Sequence, residues 1–215
     1  MQEFLDRIGE ACPRFAFSNK ISMKYRKTEY RNSKGRHLTS SGNSMEITLL
    51  IQNRGSGNMM DSVFAYEGDR FDADALLSQL GSEYDAYYTP ADIENGVYPV
   101  VIDPSYLFGT VLQHFVAEMY VSGASLLSGK LGQKIFAENL SLSNDMNPTT
   151  NPGACFFDGE GCIAPDFRPT LIDKGTLTAL LTTKKSAKQY GLPNLGTAAN
   201  IYDGVPNLGF NRFYV

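Results

Sequence analysis

Tryptophan is absent from this chain, histidine occurs twice, and cysteine occurs three times. Two histidines cannot supply a three-imidazole metal site. Cys12, Cys155 and Cys162 are odd in number and lack any C-x-x-C spacing, so neither a disulfide framework nor a zinc ribbon is indicated, and a reducing compartment fits best. A strong excess of charge of one sign is also lacking. Against 23 Asp and Glu stand 19 Lys and Arg, a net charge of -4. A surface built for nucleic acid needs clustered cations to neutralise phosphates, and this balance argues against one. No charged segment followed by an apolar run opens the chain. Its longest apolar stretch, within Leu107–Val121, is interrupted by Gln113, His114 and Glu118. That is too short and too polar to span a bilayer, and a cytoplasmic protein without membrane contact is expected.

What is present suffices for a core: 42% of the 215 residues are hydrophobic. Residues 1–94 read as an antiparallel meander with helices. Glu3–Cys12 has a helical apolar period stopped by Pro13. Ser22–Arg31 alternates as a strand, Asn32-Ser33-Lys34-Gly35 is a turn, and Arg36–Ser41 runs back. Ser41-Gly42-Asn43-Ser44 reads as a second turn before a strand over Met45–Asn53, and Ser62–Tyr66 as a fourth strand. Asp72 caps a helix expected to end at Gly81, and Ser82–Asn95 reads as a linker carrying Tyr84, Tyr87 and Tyr88. The stretch Lys20–Arg36 is the most basic, and its charges are expected on a solvated strand face.

Residues 95–215 form a second, β-rich region. Val97–Ile102 reads as a buried strand, and Asp103-Pro104 as a helix start. The helix is expected to continue to about Val121 and stop at Gly123, with Phe115 and Val116 in its apolar stripe. Short strands follow over Ile135–Ala137, Leu140–Leu142, Pro169–Asp173 and Leu177–Leu181, with a tight hairpin at Asp173-Lys174-Gly175. Thr183–Gly191 is a small helix, and Leu192–Val215 is irregular. The fold class is therefore α+β, an antiparallel sheet with helices followed by a β-rich domain entered by one long helix.

Several residues invite chemical readings. Gly123–Gly132 is rich in glycine and serine, but Lys130 is followed by Leu131 and no strand–loop–helix phosphate motif surrounds it, so a turn is expected. Asp158 and Glu160 sit in a glycine-punctuated loop. They could do acid–base work or hold a cation, or they could cap backbone N–H groups, the plainer reading. Cys155 and Cys162 have no nearby histidine, which disfavours nucleophilic catalysis.

The ordered set Gly96–Pro104, Ser128-Gly129-Lys130-Leu131-Gly132, Phe157-Asp158-Gly159-Glu160-Gly161 and Leu171-Ile172-Asp173-Lys174-Gly175, joined by Asn32-Ser33-Lys34-Gly35, resembles the TldD/PmbA family. Catalytic members of that family are metal-dependent peptidases with H-E-x-x-x-H on the helix that follows the Gly96–Pro104 strand. Aligned on this chain, the motif falls on Gln113, His114 and Glu118. A neutral amide is a poor zinc ligand, and an imidazole cannot stand in for a carboxylate base. His114 and Glu118, four apart, would share one helix edge, where an intrahelical hydrogen bond or ion pair is the plainer expectation.

The resemblance therefore implies the PmbA (TldE) branch: a cytosolic subunit with no metal of its own. Zinc would sit in a TldD-type paralogue, or the chain would form a homodimer, and Asp158, Glu160, Ser128 and Lys130 would shape a peptide cleft. It also implies longer relatives, so a short or truncated member with an incomplete second domain is expected. Two alternatives stand beside this one: an autonomous metallopeptidase with a divergent metal site, and a regulator acting by protein binding, after the family's historical link to DNA gyrase.

Overall fold

A computed structural model describes residues 2–68, 70–87, 89, 91–100, 109–151, 154–199, 206–209 and 213–214. The chain divides into two compact units. One comprises Met1–Tyr25 and Asn43–Pro99, the other Arg26–Gly42 and Val100–Val215. Helices and antiparallel strands occur together, which makes the fold α+β.

In the first unit, α1 (Gln2–Ala11) and α2 (Ala73–Tyr87) accompany a sheet of β1 (Phe15–Arg31), β2 (His37–Asn53) and β3 (Ser62–Gly68), in the order β1-β2-β3. β2 and β3 pair antiparallel from Met45↔Gly68 to Ile51↔Ser62. Alternation decides which face is buried: Met45, Ile47, Leu49 and Ile51 point inward with Phe64. Helical spacing brings Phe4 and Ile8 from α1, and Leu76 and Leu80 from α2, into the same cluster. Each fully buried side chain of this kind contributes about 1.5–3 kcal/mol. The start of α2 is fixed by Asp72, whose Oδ1 accepts the N–H groups of Asp74 at 3.1 Å and Ala75 at 3.0 Å.

Two expectations fail in this unit. β2 runs unbroken through Ser41–Ser44, so the turn expected there is absent. The Ser-Gly-Asn-Ser composition tolerates extended backbone, and strand pairing overrides its turn preference. Its buried positions change parity instead, from Ser40 in one unit to Met45 in the other. Likewise α2 passes through Gly81 and absorbs the first part of the supposed linker. Tyr84 and Tyr87 on that added turn meet the buried ring of Phe15 edge-on, with centroids 4.8 and 5.3 Å away. Such aromatic packing outweighs the roughly 1 kcal/mol that glycine costs a helix.

The second unit is built differently. The tip of the β1–β2 hairpin belongs to it, closed as expected at Asn32-Ser33-Lys34-Gly35. There Asn32 Oδ1 accepts the N–H groups of Lys34 and Arg36, both at 3.0 Å, and Gly35 has φ +81°. A four-stranded sheet orders β6-β5-β4-β9, using β4 (Leu142–Asn144), β5 (Thr170–Asp173), β6 (Thr176–Leu177) and β9 (Phe213–Tyr214). β7 (Ala198–Ala199) and β8 (Asn207–Leu208) form a separate ribbon. The β5–β6 hairpin turns on Lys174 (φ +45°) and Gly175 (φ +81°), a two-residue loop with both central residues left-handed. A Cβ on Gly175 would lie 2.5 Å from the carbonyl oxygen of Phe136, so glycine is required twice over.

The expected strand over Val97–Ile102 is not found where it is described. Val97 is fully solvent-exposed and Val100 largely so, without strand pairing. Pro99 offers no N–H to a ladder. Ile135–Ala137 is likewise irregular, contributing only a bridge at the preceding Lys134 to Thr176. The Asp103-Pro104 helix start lies outside the described residues. The long helix expected to follow is interrupted. Residues 109–111 are helical, Leu112–Phe115 is a 3₁₀ turn, Val116 is extended (φ −66°, ψ 125°), and α3 is Ala117–Val121. The break is a pairing event. Val116 bridges Leu181 in parallel, the Leu181 N–H donates to the Phe115 carbonyl at 2.8 Å, and the Ala117 N–H donates to the Leu181 carbonyl at 3.1 Å. Two inter-segment hydrogen bonds and the full burial of Phe115 replace the helical bonds given up. The final helix, α4 (Lys184–Tyr190), matches expectation, with a Thr183/Ser186 capping box and a left-handed Gly191 after its end.

Candidate functional site

The motif positions do not converge. Gln113 and Glu118 are exposed, and Val116 separates them with extended backbone, so His114 and Glu118 do not share a helix face. The ion pair or hydrogen bond expected between them is not formed. His114 instead turns to the following loop, where its Nδ1 accepts the Leu126 N–H at 3.3 Å and its carbonyl accepts the Ser125 hydroxyl at 2.6 Å. A zinc site needs at least three convergent ligands. One imidazole with an engaged nitrogen, a neutral amide and a displaced carboxylate do not fit that ion. Among the described residues no three His, Cys, Asp or Glu side chains are grouped to hold a metal.

Ser128 and Lys130 are used by their own turn. The Ser128 hydroxyl donates to the Tyr120 carbonyl at 2.8 Å, and Lys130 Nζ to the Leu126 carbonyl at 2.9 Å. Gly123, Gly129 and Gly132 have φ between +77° and +82° with open space at each Cβ position. They serve backbone conformation and not close approach.

Asp158 and Glu160 are brought together, and each is occupied with backbone. Asp158 is buried. Its Oδ1 accepts from the N–H groups of Glu160 at 2.9 Å and Cys162 at 2.7 Å, and its Oδ2 from Ala198 at 3.1 Å. A carboxylate with three backbone donors holds a turn in shape and ties it to β7. Glu160 accepts the Lys184 N–H at 2.6 Å at the start of α4, and the Lys184 ammonium donates to the Glu160 carbonyl. Cys162 lies in the same turn and accepts from Asn194 Nδ2 at 3.3 Å. Burial pushes its thiol pKa up, and the charge of Asp158 adds to that. It is a protonated thiol at neutral pH and a poor nucleophile.

The same turn walls a cavity of about 470 Å³, within the size range of ligand sites. Arg26, Thr28 and Tyr30, successive residues on one face of β1, form one side. Asn144, Met146 and Phe157 form another, and Cys155, Asp158 and Ala198 also reach it. Its chemistry is mixed: apolar surface from Tyr30, Met146 and Phe157, with Arg26, Glu29 and Asn144 as polar groups. A hydrogen bond and charge from Lys27, 2.6 Å away, together with Arg31 and His37, hold the Glu29 carboxyl below the usual range. From the sequence the charges of this stretch, Arg26 among them, are expected on a solvated strand face, whereas Arg26 and Tyr30 line the cavity. Positions i, i+2 and i+4 on one strand were the available signal, but alternation alone does not reveal what a strand tip faces. This arrangement can bind and orient a ligand, and among its described lining residues no nucleophile is paired with a base.

No helix among the described residues is long and apolar enough to cross a membrane. The fold is similar to that of TldE from Thermococcus kodakarensis, with a TM-score of 0.73 at 21% identity, covering 97% of this chain and 49% of that one. It is also similar to a candidate modulator of DNA gyrase from Bacteroides thetaiotaomicron, with a TM-score of 0.63 at 20% identity, covering 91% of this chain and 47% of that one. In sequence it is 28% identical over 153 residues to a metalloprotease of Methanothermobacter thermautotrophicus, covering 68% of this chain and 33% of the relative. The chain thus spans about a third of that relative and about half of the two solved chains. Residues 95–215, more than half of the sequence, match the PmbA/TldA metallopeptidase C-terminal domain, and on that match the chain belongs to the PmbA/TldD family.

Proposed function

We propose that this chain is a peptide-handling subunit of a TldD/PmbA-type cytoplasmic metallopeptidase assembly, in which a metal-bearing paralogue supplies zinc and the water it activates. In this reading residues 1–94 and 95–215 correspond to the family's N-terminal and C-terminal domains. The observation that carries it is the state of the motif. Gln113, His114 and Glu118 are split by the extended Val116, and His114 is hydrogen-bonded to a neighbouring loop. The cavity beside Asp158 supports a binding role, since its apolar walls and few polar groups suit a segment of unfolded peptide. The names of relatives, a metalloprotease and a candidate gyrase modulator, agree with a peptidase system that acts on other proteins.

Mixing the chain with a metal-bearing paralogue tests this. The expected result is a stable complex that cleaves an unstructured peptide, with cleavage reduced by Tyr30→Ala or Met146→Ala in this chain. A chain that stays apart from such paralogues in sedimentation, or whose cavity variants leave KM unchanged, would contradict it.

A further inference from the structure

The first unit holds a second cavity, of about 190 Å³, that the peptidase reading does not use. Its floor is apolar and buried: Cys12, Ile51 and Leu80. Its walls are aromatic. Phe15 is almost wholly buried, and around it stand Tyr84 at 4.8 Å, Tyr87 at 5.3 Å and Phe17 at 6.4 Å between ring centroids. The Tyr84 and Tyr87 rings lie at 71° and 78° to that of Phe15, so the rings form corners and not a stack. At its rim are two carboxylates, Asp61 and Glu83, and among the described lining residues there is no Lys, Arg or His. Arg54 donates to the Phe15 carbonyl at 3.3 Å and does not line the cavity.

The acids differ in what they can offer. Asp61 is filled by donors: the Asn53 N–H at 2.7 Å, the Ser56 hydroxyl, the Asn58 amide at 2.9 Å and the Tyr87 hydroxyl. It supplies negative charge and fixes the Tyr87 ring rather than contacting a ligand. Glu83 is exposed on α2, one residue before Tyr84, and among the described residues its Oε1 accepts only a long bond from the Gln79 side-chain amide at 3.4 Å. The field beyond the rim has the same sign. Residues 1–25 and 43–99 contain 13 Asp and Glu against 6 Lys and Arg. An aromatic corner attracts a cation through the negative faces of its rings, and carboxylates at the rim add to that attraction.

We infer that the cavity lined by Phe15, Phe17, Tyr84 and Tyr87, with Glu83 at its rim, is a binding site for a small organic ammonium group. It is too small for a drug-sized ligand and suits a head group. The cation can be a free methylated ammonium or the side chain of a lysine. The proposal stands apart from the peptidase reading and survives if that reading fails.

Ring and methyl NMR signals of the full chain, titrated with choline, n-butylammonium and the neutral choline isostere 3,3-dimethylbutan-1-ol, give the test. Saturable shifts confined to Phe15, Tyr84 and Tyr87 are expected, with one of the cations binding about tenfold more tightly than the neutral alcohol. Choline as the tighter cation identifies a methylated ammonium, and n-butylammonium identifies a lysine side chain. Glu83→Gln, an exposed and fold-neutral change, should weaken that cation severalfold and leave the alcohol unaffected. Equal binding of cation and alcohol, no saturable binding, or no effect of Glu83→Gln would overturn the proposal.

Discussion

The two units are held together by different means, and they carry opposite charge. The first packs α1 and α2 against a three-stranded sheet, and its order comes from one apolar cluster running from Phe4 to Leu80. The second has short strands and long loops shaped by buried polar groups. Ser143, Asn144, Asp145, Asp158, Thr182, Thr183, Ser186 and Thr197 are all buried there, and no described buried side-chain N or O atom in the chain lacks a partner. The first unit has 13 acids to 6 bases, whereas the second has 10 to 13. Regular periodicity thus builds a scaffold that many sequences could satisfy. The polar wiring specifies particular loop shapes, and the candidate site lies among those loops.

Core truncation should be the most damaging change in either unit. Phe115→Ala in the second unit should cost about 3–5 kcal/mol, and Ile47→Ala in the first about 2–5 kcal/mol. Both side chains are fully buried, and chemical denaturation of each variant would measure the loss. Asp158→Ala is where the units should part company. Three backbone N–H groups, that of Ala198 buried and those of Glu160 and Cys162 part-buried, lose their acceptor, so a cost on the order of 2–3 kcal/mol is expected, with disorder at the 157–162 turn visible by hydrogen exchange. A near-neutral result would show that the turn does not need its carboxylate. Thr183→Ala removes half of a capping box and should cost about 1 kcal/mol, read from the same denaturation curves.

The smallest effect is a pH dependence in the first unit. Hydrogen bonds from Asn58 and the Asn53 N–H, then from Ser56 and Tyr87, hold the Asp61 carboxyl below the usual carboxylate range. Its folded pKa lies below its unfolded one, so the unfolded state binds the proton more tightly. The associated stability is complete above the unfolded pKa and is lost as pH falls through the folded one. Asp61→Asn should therefore flatten the acid limb of a stability-versus-pH curve. An unchanged limb would mean that these hydrogen bonds do not outlast solvent exchange.

The sequence made the regular parts legible. α1, the Asn32–Gly35 turn, the Lys174-Gly175 hairpin and the capped α4 all follow from short-range chemistry that tertiary context did not override. Where expectation failed, a long-range contact had won. Edge-on packing of Tyr84 and Tyr87 against Phe15 carries α2 through Gly81, and strand pairing carries β2 through Ser41–Ser44. Leu181, 65 residues from Val116 in sequence, breaks the helix that periodicity predicts. The candidate site was half legible for the same reason. The Asp158 turn announces itself by its glycines, while the contribution of Arg26, Thr28 and Tyr30 depends on where a distant strand tip lands.

Zinc content and peptidase activity, measured side by side on the purified chain and on its mixture with a metal-bearing paralogue, probe the central claim most directly. Far less than one zinc per chain, no hydrolysis by the chain alone, and hydrolysis in the mixture are the predicted outcome. One tightly held zinc per chain, lost on His114→Ala together with peptide cleavage by the isolated chain, would contradict the account.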